Sequence, residues 1–147
     1  THRAVQRSLQ ARIAPQGITL GMWYFLRVLW NEEGLTQRAL SERLGMMQPT
    51  TVTALRSMER RGIVRRVRNK EDRRKVGVYL TPRGRALRSK LMPCALAVTA
   101  LALADLSRTE IDSILEMLKK IRRRLDADAR IARSPHQVRE RKSGVGR

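Results

Sequence analysis

At 147 residues and 16.9 kDa the chain has the size of one ordinary domain, long enough to bury one core but not two substantial ones. Its 32 Lys and Arg against 13 Asp and Glu give a formal net charge of +19, which repels other copies and attracts polyanions, so nucleic acid is the first expected partner. The single cysteine, Cys94, excludes an intrachain disulfide, and the longest apolar run, Ala95 to Ala104, is too short for a membrane span.

Nothing near Thr1 resembles a secretory signal, so the cytoplasm is the expected compartment; the lack of an initiating methionine leaves room for residues upstream. Val5, Leu9 and Ile13 recur every four residues and predict a short helix over 3–14 with one apolar stripe, ended by Pro15 and Gly17. Thr19 is placed to cap a second helix reaching Asn31, apolar all round as a mostly buried helix is. Thr36 caps a third from Gln37 to Leu44, and Gly45 supplies the turn. A fourth helix opens at Gln48 or Thr50, tolerates Pro49 in its first turn and stops at Gly62.

Ile63 to Val67 and Val76 to Leu80 read as two strands joined by the charged segment RNKEDRRK, a β-hairpin wing. A long helix follows from Arg83 to about Ala104, capped by Thr81 and with a kink expected at Pro93. Ser107 and Glu110 have capping-box spacing ahead of a last helix whose apolar face is Ile111, Ile114, Leu115, Leu118, Ile121 and Leu125. Beyond Ala132 the tail has little to bury, so disorder is expected there. The fold class is mainly α with a small β-hairpin wing, an α+β winged helix-turn-helix. The expected division is 1–17 and 87–132 for dimerisation helices, 18–86 for the DNA-binding lobe and 133–147 for a basic tail.

Residues 36–85 carry 14 Lys or Arg and 4 Asp or Glu, so a third of the chain supplies more than half of its net charge. Clustered on a helix-turn-helix and its wing, these cations suit phosphate contact, which releases counterions and makes affinity salt-dependent. At the start of the fourth helix Gln48, Thr50, Thr51 and Thr53 are short polar groups suited to base edges or phosphate, with Arg56 one turn on; Gln48 and Thr50 could equally serve as caps. Thr36, Gln37, Arg68, Lys70 and Arg73 complete the candidate DNA contacts. In the wing, Asp72 lies two residues before Arg74, so a carboxylate could hold that arginine extended for insertion into the minor groove.

The segments ITLGMWYFLRVL, LTQRALSERLG, TTVTALRSMERRGIVRR and DRRKVGVYLTPRG, over roughly residues 18–86, resemble the MarR family of bacterial transcriptional regulators in order and spacing. The acidic residue, the arginine two later and the Leu-Thr-x-x-Gly that follows are the most specific part. The resemblance implies that Arg74 reaches the minor groove with Asp72 as its partner, and that homodimers form by pairing the first and last helices. It also implies that small aromatic or phenolic anions bind between those helices and the DNA-binding lobe, near Met22, Trp23 and Arg27. Packing is the stronger reading for Trp23. The chain departs from the family pattern at Met22, where glutamine is frequent, and at Ser41, where alanine is.

The expected function is therefore a homodimeric repressor of a pseudo-palindromic operator, released by a small aromatic or phenolic ligand and needing no cofactor. Two alternatives remain: a redox-sensing repressor using Cys94, and a basic nucleic-acid-binding protein with no effector. An enzyme is not expected. His2 and His136 lie in terminal arms, no Ser-His-Asp or metal-ligand spacing occurs, and no glycine-rich phosphate loop follows a strand.

Overall fold

The first helix spends its apolar stripe inside its own chain. α1 (His2–Ile13) buries Leu9 and Ile13 as it packs against α2 (Leu20–Leu29) and α5 (Pro82–Ala102). Of the stripe expected to await a partner, only Val5 stays exposed, at 39%. A 3₁₀ turn over Ala14–Gln16 ends at Gly17, whose φ of 72° lies in the left-handed region that glycine enters without strain. Gln10 fastens the two helices: its amide donates to the Ile18 carbonyl at 3.2 Å and accepts from the Leu20 N–H at 2.6 Å.

This computed structural model describes residues 1–68 and 75–132, which fall into two compact units, Thr1–Ala102 and Leu103 onward. In the first unit α2 buries Met22, Trp23, Phe25, Leu26 and Leu29, with Thr19 accepting the Met22 N–H as its cap. α3 (Gln37–Leu44) is capped by Thr36, which accepts from the Ala39 N–H at 3.2 Å. α4 (Gln48–Arg60) buries Thr51, Leu55 and Met58. Its N-cap is Met47, which has no side chain able to cap, so Gln48 and Thr50 are helical residues and not caps.

The sheet has a strand that the sequence reading missed. β1 (Leu35–Thr36), β2 (Val64–Arg68) and β3 (Val76–Leu80) are antiparallel in the order β1-β3-β2, with Leu35 opposite Val78 and Val64 opposite Leu80. On β3, Val78 and Leu80 alternate into the core. Thr81 then caps α5, accepting from the Gly84 N–H while donating to the Gly62 carbonyl at 2.6 Å. α5 continues through Pro93 and turns Leu87, Leu91 and Val98 inward. At Gly84 it passes so close to the β2 entrance that a Cβ would collide with the Ile63 carbonyl oxygen, and the Gly84 carbonyl accepts the Trp30 indole N–H at 3.0 Å.

The second unit contains α6 (Arg108–Ala132), opened by the expected capping box: the Glu110 carboxylate accepts the Ser107 N–H at 2.8 Å, and Ser107 accepts the Glu110 N–H at 3.3 Å. Hydrogen bonds from Ser107 hold the Glu110 carboxyl below its ordinary pKa. On the apolar face of α6 Ile111 is half-buried and the rest is exposed, from 36% at Ile114 to 63% at Leu125. The tail beyond Ala132 lies outside the described residues, as does the wing tip at 69–74. No described helix is long and apolar enough to cross a membrane.

Candidate nucleic-acid interface

The phase of α4 decides which of its polar residues face out. Gln48, Thr50, Thr53 and Arg56 are exposed. Thr51 is not: it is fully buried, accepts the Ser41 hydroxyl at 3.0 Å and lies 3.3 Å from the Met47 carbonyl. This corrects its assignment as a DNA contact, because Thr51 shares the inward i, i+4, i+7 stripe with Leu55 and Met58 and joins the two helices of the motif. Ser41 stands where a small apolar residue would need no partner, and its hydroxyl lies 3.0 Å from both the Gln37 carbonyl and Thr51.

Sequence reasoning passed over two residues on the outward face. Arg60 lines a shallow depression with Thr53, Arg56 and Glu59, and Met47, 76% exposed, stands just ahead of the helix. The helical period alone places Arg60 with Thr53 and Arg56, so that signal was present. Met47 had none, since its exposure follows from how the turn enters α4.

The helix is tied to the sheet beside it by charge. Arg66 on β2 donates from Nε at 3.0 Å and from Nη2 at 2.5 Å to Glu59 Oε2 on the last turn of α4. That hydrogen bonding holds the Glu59 carboxyl below its ordinary pKa. Arg65 and Arg68, also on β2, are exposed and form no ion pair among the described residues. Thr36 and Gln37 are half-buried at the start of α3. Lys70, Asp72, Arg73 and Arg74 lie outside the described residues.

The expected ligand site is not met by the geometry. Met22 and Trp23 are each 4% exposed and belong to the core. Trp23 meets Trp30 edge-on at 5.8 Å, and the exposed Arg27 guanidinium lies 5.6 Å from the Trp23 ring centre. Met22 and Trp23 thus face inward while Arg27 of the same helix faces out. Two depressions form instead on either side of Arg85 and Arg88. One, of about 440 Å³, is lined by Leu29, Trp30, Glu33 and Leu80; the other, of about 610 Å³, by Met92, Pro93 and Leu96. Arg85 makes a two-pronged pair with Glu33, both contacts at 2.9 Å, while Arg88 forms no ion pair among the described residues. Cys94 is half-buried, its thiol 3.5 Å from the Lys90 carbonyl.

The MarR family model matches residues 18–76, which take in α2, the helix-turn-helix and the start of the wing. A helix-turn-helix transcriptional repressor of Mycobacterium tuberculosis is 30% identical over 113 residues, spanning 77% of this chain and 81% of that protein. This chain belongs to the MarR family. The transcriptional regulator TtmR of Methylorubrum extorquens is 33% identical over 126 residues, covering 86% of this chain and 64% of TtmR, so the chain spans less than two-thirds of that relative. The crystal structure of a MarR transcriptional regulator from Methanosarcina mazei superposes with a TM-score of 0.74 at 29% identity, over 84% of this chain and 91% of that one. Membership accounts for the fold and for the position of α4 beside β2.

Proposed function

We propose that this MarR-family chain is a DNA-binding transcriptional regulator, a homodimer that reads a pseudo-palindromic operator and represses from it. The observation that carries the reading is the outward face of α4. Gln48, Thr50, Thr53, Arg56 and Arg60 stand exposed on α4, and Arg65 and Arg68 stand exposed on β2 with no ion pair among the described residues, a combination of hydrogen-bonding groups for base edges and cations for phosphates. Relatives named as transcriptional regulators and repressors support it. A two-fold dimer would present two such helices to major grooves about one helical turn apart, roughly 34 to 36 Å.

Release by a small organic anion is the regulatory half of the proposal. Arg88, with an apolar wall at Met92 and Leu96, suits an aromatic or phenolic acid better than the closed surroundings of Trp23 do. Selection of binding sites from a random duplex pool, followed by footprinting, tests the DNA reading. A two-fold symmetric site should emerge, and Arg56→Ala should bind it about tenfold or more weakly while narrowing the gap to scrambled DNA. Recovery of no common sequence would favour the effector-independent basic protein instead.

A further inference from the structure

A small basin at the root of the wing brings two of the candidate DNA contacts, Thr36 and Arg68, together with residues that none of the readings above assigns. It has a volume of about 310 Å³, and its walls come from Thr36 and Gly34 at β1, Val67 and Arg68 at the end of β2, and Lys75, Gly77 and Tyr79 at β3. Thr36 and Val67 both lie opposite Gly77 in the sheet register, so three strands meet at its floor. The two glycines shape it. A Cβ on Gly77 would lie 3.0 Å from Tyr79 Cε2, and a Cβ on Gly34 would lie 2.9 Å from the Tyr79 hydroxyl. The tyrosine ring therefore lies across both glycines and brings its hydroxyl to the β1 side of the basin.

We infer that this basin holds one sugar-phosphate unit of the DNA backbone, with Tyr79 and Lys75 as contacts alongside Arg68 and Thr36. The chemistry is matched on both sides of such a unit. The Val67 side chain, 38% exposed, and the Tyr79 ring give an apolar wall for a deoxyribose. Arg68 and Lys75 bring positive charge for the phosphate. The Tyr79 hydroxyl makes no hydrogen bond among the described residues, and the Thr36 hydroxyl accepts from Ala39 but keeps its proton to donate. Basic and hydroxyl-bearing residues lining a basin of this size suit a phosphodiester, whose contacts position a protein on the duplex without reading its sequence. The inference rests on the operator-binding reading and adds to it the register of the wing on the backbone.

The test compares the dimer carrying Tyr79→Phe, Lys75→Gln or Arg68→Gln with the unaltered protein, on a selected duplex and on a scrambled one, across a salt series. Tyr79→Phe keeps the ring and the fold, and should weaken both duplexes by the same factor, about tenfold, with no change in salt slope. Lys75→Gln and Arg68→Gln should each flatten the slope of log affinity against log salt by about 0.9. Free inorganic phosphate at matched ionic strength should compete no better than chloride. Unaltered protein that binds neither duplex would overturn the operator reading and the basin together. Normal binding by Tyr79→Phe would overturn the basin alone, as would a loss confined to the selected sequence. Competition by free phosphate that Tyr79→Phe abolishes would make the occupant a small anion and not DNA.

Discussion

Thr51 shows how one residue's role turns on helical phase. Four short polar side chains near the start of α4 look alike in the sequence, yet a step of about 100° per residue turns Thr51 inward with Leu55 and Met58 while Thr50 and Thr53 face out. Its hydroxyl accepts the Ser41 proton, so the two helices of the motif are joined by a buried hydrogen bond at their crossing. Thr51→Val removes that acceptor and keeps the shape. Because the Ser41 hydroxyl can still donate to the Gln37 carbonyl, the expected loss of stability is only about 1 kcal/mol, measured by thermal denaturation. Duplex affinity well below the melting temperature should be unchanged. A large loss of affinity in a variant of undiminished stability would return Thr51 to the interface.

Among elements, the join between α4 and β2 sets how the recognition helix stands beside the wing, and the Glu59–Arg66 pair crosses it. The Glu59 side chain is 37% exposed and that of Arg66 31%, so water screens much of their attraction and the pair contributes less than about 1 kcal/mol. The Glu59 carboxyl is held below its ordinary pKa in the fold. Its contribution is therefore present above the unfolded-chain value and fades as pH falls through the lowered folded value. Glu59→Gln should lower the melting temperature slightly at neutral pH and match the unaltered protein in strong acid. An equal deficit at every pH would show that the carboxylate's charge is not what stabilises this join. The same scale explains β1. Two residues cannot display an alternating pattern, and Leu35–Thr36 becomes a strand only because β3 offers it a hydrogen-bonding edge.

For the whole molecule, the apolar faces of α1 and α6 have separate fates. That of α1 is closed by α2 and α5, whereas α6 leaves Leu115, Leu118, Ile121 and Leu125 between 49% and 63% exposed on a helix of 25 residues. A contiguous stripe of this kind is costly to leave in water, at roughly 25 cal/mol per Å². If a second copy covers it, Leu118→Glu should shift the protein from dimer to monomer in sedimentation velocity at micromolar concentration and weaken operator binding through the lost second half-site. A Leu118→Glu protein that sediments as an undisturbed dimer would place the dimer contact elsewhere.

The sequence by itself determined the helices, the two strands of the wing, most helix caps, the winged helix-turn-helix and the concentration of positive charge upon it. Those features are local: they rest on apolar period, on Thr or Ser before a helix, on Gly after one, and on simple charge counts, as at Thr19, Thr36 and Ser107. Only the tertiary structure decided that Thr51 meets Ser41, that Leu9 and Ile13 of the α1 stripe are already covered, and that Glu33 spends its charge on Arg85. It also decided that Gly34, just before β1, shares one basin with Gly77 and Tyr79 of β3. Ser41 lies 10 residues from Thr51 and Arg85 lies 52 from Glu33, so no periodicity or spacing near either residue could record the partner it would meet.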